Sequence, residues 1–166
     1  ELTRLVERGD VTRADMETLQ LDDHSVVADQ LLPVLEAAWA RVETDGALAE
    51  YRGREDLATL VSALGGWDRR LARDSAAAVI FEAFTFFATR RALADDFSVT
   101  FATILNEEPI FMVKWAALAL RSAFDGADAV LQEGRARIVL EALDETAAWL
   151  AERFGSLDPS GYRWED

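Results

Sequence analysis

The chain contains no cysteine and a single histidine, His24. The first absence excludes disulfides, zinc–thiolate sites, iron–sulfur clusters and cysteine nucleophiles together. The second leaves a Ser-His-Asp triad only one imidazole to use and rules out a metal site built from several histidines. No apolar run reaches the roughly 18 residues that suggest a transmembrane helix, and no stretch has the build of a signal peptide. The longest apolar stretch, 76–88, is broken by Glu82 and Thr85 and suits a buried helix. There is no P-loop and no G-x-G-x-x-G. None of Ser25, Ser62, Ser75, Ser98, Ser122, Ser156 and Ser160 lies in a G-x-S-x-G elbow. Positive charge is also short: 17 basic side chains against 31 acidic ones leave a net charge of −14. A surface that acidic repels phosphate backbones and anionic lipid, so neither nucleic acid nor a membrane is expected as a partner.

What the chain does have is apolar material in a helical rhythm. Its 166 residues are 51% hydrophobic, enough for one domain with a core, taken as a single helical domain over 1–166. Thr12 followed by Asp15 resembles a capping box with the shorter acid. After it, Met16, Leu19, Gln20 and Asp23 fall on one side. A second helix is expected over 25–42 with an apolar stripe of Val27, Leu31, Val34, Leu35, Ala38 and Trp39. Pro33 must kink it or sit in its first turn. Leu57, Leu60, Val61 and Leu64 form one face of a short helix stopped by Gly65-Gly66.

Asp74 is the expected N-cap of the strongest helix, 75–94, which is apolar on more than one face and so expected to be central. Shorter helices are expected over 98–106, begun by Ser98, and over 110–124 behind Pro109. A last long one runs over 129–154, capped by Asp128 and stopped by Gly155. Residues 97–104 form the one β-branched, partly alternating run and remain a minor strand alternative. The expected fold class is all-α, an irregular helical domain of about six or seven helices.

Few side chains group in a way that carries chemistry. Asp22-Asp23-His24 has metal-ligand residue types, but neighbours on a helix point about 100° apart and cannot readily converge on one ion, so a solvated acidic turn is the better reading. Asp95-Asp96, Asn106-Glu107-Glu108 and Glu141/Asp144/Glu145 could in principle pair for acid–base work. Glu107 and Glu108 are read instead as acids favoured by a helix N-terminus. Trp39, Trp67, Trp115, Trp149 and Trp164 at helical spacing read first as core, although a ligand pocket lined by aromatics would look the same. No catalytic, cofactor-binding or metal residue is assigned.

Three segments, in order, resemble one family. Leu64-Gly65-Gly66-Trp67-Asp68 and then Asp74-Ser75-Ala76-Ala77 resemble the "L-x-x-W-D-G…D-S-x-A-A" stretch of penicillin acylase-type amidohydrolases. Upstream, Val11 to Met16, Leu19 to Asp22, Ala28 and Leu31-Leu32-Pro33 are similar to that family's "t-x-e-D-M…i-Q-x-D…A…L-L-P". The tail from Asp158-Pro159 to Trp164 resembles the approach to its "W-G-x-x-H". Arg69 stands where the family has Gly after Trp-Asp, so the turn there is expected to use another backbone conformation.

The resemblance implies an N-terminal-nucleophile hydrolase, whose new N-terminal Ser attacks an amide with its own α-amino group as base. The parent enzymes hydrolyse the amide bond of N-acyl compounds such as β-lactams or acyl-homoserine lactones. The nucleophile, the oxyanion Asn and the calcium ligands of the family map outside this chain, so no cofactor is expected in this segment. The expectation is an excised helical fragment of the large subunit of a larger α+β enzyme, inactive alone. The missing initiator Met and the abrupt end at Asp166 fit that expectation. Its implied partners are the catalytic core and small subunit, with self-association through an exposed apolar face. Placement in the periplasm or outside the cell is usual for the family. The alternative is a free-standing helical ligand-binding or protein-interaction module with an aromatic-lined core.

Overall fold

A computed structural model describes residues 2–93, 120 and 134–163. The described residues form six α-helices: α1 (Leu2–Arg8), α2 (Arg13–Gln20), α3 (Val26–Ala40), α4 (Glu55–Gly65), α5 (Ala76–Leu93) and α6 (Arg135–Phe154). Two short 3-10 turns, Gly46–Tyr51 and Pro159–Gly161, complete them. No strand occurs among the described residues; an isolated antiparallel bridge joins His24 to Arg70. The fold is all-α, as the periodicity indicates. The expected helices over 98–106 and 110–124, the strand alternative over 97–104, the Asp128 cap and the start of the last helix lie outside the described residues. So do Asp95, Asp96, Glu107, Glu108, Trp115 and Trp164.

Local chemistry explains where the helices begin and end. Thr12 and Asp15 make the full reciprocal capping box at the head of α2, with the Asp15 carboxylate accepting from the Thr12 N–H at 2.8 Å. These bonds from Thr12, with Arg8 beside them, hold the Asp15 carboxyl down to about 2. The Ser25 side chain caps α3 through the Ala28 N–H at 3.2 Å. Asp74 does not cap α5. The Ala78 N–H donates to Ser75 Oγ at 3.2 Å, so the cap sits one residue later than expected. Pro33 lies in the interior of α3 rather than in its first turn. Gly65-Gly66 ends α4 as expected, but Gly66 has a right-handed φ of −88°. A left-handed glycine closes α6 instead: Gly155, with a φ of 70°, donates its N–H to the Ala151 carbonyl at 2.9 Å. Helix α1, with Leu2, Leu5 and Val6 at helical spacing, was not among the expected elements.

Helix α6 is the centre of the packing, lying against α3, α4 and α5. Its Ile138, Leu140, Leu143 and Leu150 are buried with Leu31 and Leu35 of α3, Leu57 and Leu60 of α4, and Phe81 and Phe84 of α5. Each such side chain removed from water contributes roughly 1.5–3 kcal/mol, which fixes the relative position of these four helices. Tyr162 is fully buried at the end of the described chain, stacked on Phe154 at 4.6 Å, with its hydroxyl donating to the Ser156 carbonyl at 2.9 Å. By contrast, α1 and α2 bury only Leu5.

Candidate functional site

Helix α5 is apolar on two faces, and the two have different fates. Phe81, Phe84, Ala88 and Ala92 enter the core. Val79, Glu82, Ala83, Phe86 and Arg90 recur at spacings of three and four and so share a second face. Val79 is itself part of the core, but Glu82, Ala83 and Phe86 are only partly buried and Arg90 is exposed. With Phe87, Trp149, Arg153, Phe154 and Arg163 this face lines a groove of about 590 Å³ between α5 and the C-terminal end of α6. Helix α5 is central, as expected, with most of its residues buried, while Glu82, Ala83, Phe86, Phe87 and Arg90 border the groove.

The aromatic rings of the groove brace one another. Phe86 and Phe87 meet edge to face at 5.2 Å, and Trp149 and Phe154 at 6.3 Å. The Arg153 guanidinium lies 5.9 Å from the centre of the Phe154 ring, within cation–π range. Among the described residues Glu82 has no hydrogen-bond or ion-pair partner, and burial pushes its carboxyl up from the ordinary carboxylate value. Trp149 is 39% exposed, so it belongs to the groove and not to the core. Trp67 packs on Phe81 at 5.3 Å and donates its indole N–H to the Arg70 carbonyl at 3.0 Å.

The clusters singled out in the sequence serve other ends. Asp22, Asp23 and His24 point to three different partners. Asp22 accepts from the His24 backbone N–H at 3.2 Å, Asp23 meets Arg70 at 2.5 Å, and His24 Nε2 lies 2.8 Å from the Asp29 carboxylate. Glu141, Asp144 and Glu145 do not pair with one another either. Arg91 of α5 takes Glu141 at 2.9 Å and Glu145 at 2.6 Å, while Arg54 takes Asp144 at 2.5 Å. These are interhelical ion pairs at partly exposed positions, worth little individually but fixing register. Among the described residues, no three His, Asp or Glu side chains are placed to hold a metal ion.

Two of the segments that carry the family resemblance meet in space. The Ser25 N–H donates to the Arg69 carbonyl at 2.8 Å and the Leu71 N–H to the Asp23 carbonyl at 2.9 Å, beside the His24–Arg70 bridge. Arg69 donates to Asp29 at 2.7 Å. Arg69 first, then His24, hold the Asp29 carboxyl below the usual carboxylate range. Arg69 also has a φ of 64°, the left-handed conformation that glycine adopts freely. Arginine is held in this glycine-like turn by these contacts. Against the full length, the family model for penicillin amidase matches residues 1–166. The chain belongs to the penicillin amidase family. No curated protein and no solved structure is matched by it. In this penicillin amidase-family chain the motif residues build the fold: Ala28, Leu31, Leu32 and Leu64 are core, Thr12 and Ser75 are caps, and Trp67 to Arg70 form the junction.

Proposed function

We propose that this chain is the helical portion of a penicillin acylase-type amidohydrolase, catalytically inert by itself and serving as a scaffold for the part that carries the nucleophile. The observation that carries this reading is the family match across 1–166 on a chain whose described residues are helical and whose motif residues act as caps, core and turn. The parent reaction is hydrolysis of the amide bond of an N-acyl compound, with β-lactams and acyl-homoserine lactones as the substrate classes. The family's calcium site belongs to the remainder of the enzyme.

An exposed apolar surface supports the docking of that remainder. Leu2, Val6, Val11, Met16, Leu21, Val26 and Leu71 are all exposed, with Val6 at 67% and Leu21 at 80%. Leu2 and Val6 lie on α1, Met16 on α2, Val11 and Leu21 beside α2, and Val26 at the start of α3, and Leu71 adjoins Asp23 through a backbone bond. Apolar side chains gathered in this way mark an interaction surface. Purified alone, the chain self-associates through it. Sedimentation velocity over a range of concentrations tests this, with Val6→Ser/Leu21→Ser expected to restore a monomer of unchanged helicity. A wild-type chain that stays monomeric at all concentrations would contradict the docking role.

A further inference from the structure

The groove between α5 and α6 carries an inference independent of the scaffold reading. In a chain of net charge −14, arginines are in demand as partners for carboxylates. Arg8, Arg13, Arg41, Arg54, Arg69, Arg70, Arg91 and Arg137 are all so paired. Arg52 is held by the Val42 and Asp45 backbone carbonyls instead, whereas Arg90, Arg153 and Arg163, also without a carboxylate partner among the described residues, all line this one groove. Arg163 is oriented by its bonds to the Ser160 and Tyr162 carbonyls at 3.2 and 2.6 Å, and Arg153 by the Phe154 ring. The space they border, about 590 Å³, falls in the range that encloses a small molecule. Its walls are aromatic, which suits a flat apolar body. Glu82 has only burial acting on it, so no guanidinium is spent neutralising it.

We propose that this groove binds a small amphipathic organic anion, its aromatic body against Phe86, Trp149 and Phe154 and its anionic head among Arg90, Arg153 and Arg163. Guanidinium groups recognise carboxylate and sulfonate oxygens through charge-assisted hydrogen bonds, so either head group satisfies the site.

The test is a fluorescence titration of the whole chain with 8-anilinonaphthalene-1-sulfonate, beside the uncharged N-phenyl-1-naphthylamine and the carboxylate 1-naphthoate. One saturable site is expected, with both anions bound at least tenfold more tightly than the neutral ring compound. Arg90→Gln/Arg153→Gln lowers anion affinity by about tenfold and leaves the neutral compound unaffected, which also shows that the fold is intact. Glu82→Gln tightens the anions by about twofold, and Trp149→Ala weakens all three probes. Three results would each overturn the proposal: equal affinities for charged and neutral probes, insensitivity of the anions to the double arginine variant, or binding lost in Val6→Ser/Leu21→Ser but kept in Trp149→Ala. Saturable binding of an acidic peptide with no saturable binding of the small anions would overturn it as well. Loss of self-association or of the amidase reading alters none of these outcomes.

Discussion

Arginine 69 offers a sharp quantitative test because two opposing effects meet on one residue. Its φ of 64° costs a side chain with a Cβ about 1–2 kcal/mol relative to the right-handed region, a cost that glycine escapes. In return its guanidinium meets Asp29 at 2.7 Å, a pair whose side chains are 37% and 38% exposed, worth about 0.2–1 kcal/mol after solvent screening. Arg69→Ala keeps the strain and loses the pair, so it destabilises by about 0.2–1 kcal/mol. Arg69→Gly loses the same pair and releases the strain, partly offset by the greater freedom of glycine in the unfolded chain. The glycine variant is therefore about 1 kcal/mol more stable than the alanine variant, a Tm difference of roughly 3 °C for a chain of this size. Urea unfolding followed by tryptophan fluorescence measures the difference. An alanine variant as stable as the glycine one would refute the left-handed turn and with it the account of how the two motif segments join.

Further outcomes follow from the core, the caps and the groove. Phe81→Ala, at a fully buried position against Trp67, destabilises by about 3–5 kcal/mol in denaturant unfolding, far more than Asp144→Asn, whose pair with Arg54 is half exposed and worth under about 1 kcal/mol. The Asp15 carboxyl, held at about 2 in the folded chain, adds stability that is present above the ordinary carboxylate value and is lost as pH falls towards 2. NMR titration reads that value directly, and Thr12→Ala moves it upward. Glu82 has the opposite sign. Its folded-state value is raised by burial, so ionising it costs the fold stability as pH rises. Glu82→Gln thus raises Tm at neutral pH, with the advantage disappearing below about pH 4. An advantage that is independent of pH would show that Glu82 is not desolvated.

How much of this was legible in the sequence depends on the range of the interaction involved. The capping box at Thr12 and Asp15, the stop at Gly155 and the stripe of α3 are local patterns, readable because caps and helical faces are set by residues within a turn or two. The Ser75 cap was displaced by one position because Asp74 and Ser75 are both good caps and their order is decided by the exit of the preceding turn. Helix α1 is hard to read because its seven residues bury only Leu5. The fates of Asp22, Asp23 and His24 could be foreseen as divergent, but not their partners, since Asp29 and Arg70 reach them through tertiary structure.

The groove was the least legible feature. Its α5 face is visible in the spacing of Val79, Glu82, Ala83 and Phe86, but an apolar face that lines a cavity reads the same as one that is buried. Only the groove formed between α5 and α6 tells the two apart. Arginines without acidic partners are likewise invisible until every ion pair has been placed.

A penicillin amidase-family chain that supplies structure and not chemistry, as proposed, cleaves no amide by itself, and a hydrolysis assay reads this. The purified chain, checked for helicity, is incubated with phenylacetyl and long-chain acyl amides and the released amine is quantified. Release no faster than in buffer alone is expected. Sustained turnover that scales with chain concentration and survives repurification would contradict it and would place an amide-cleaving site within these residues.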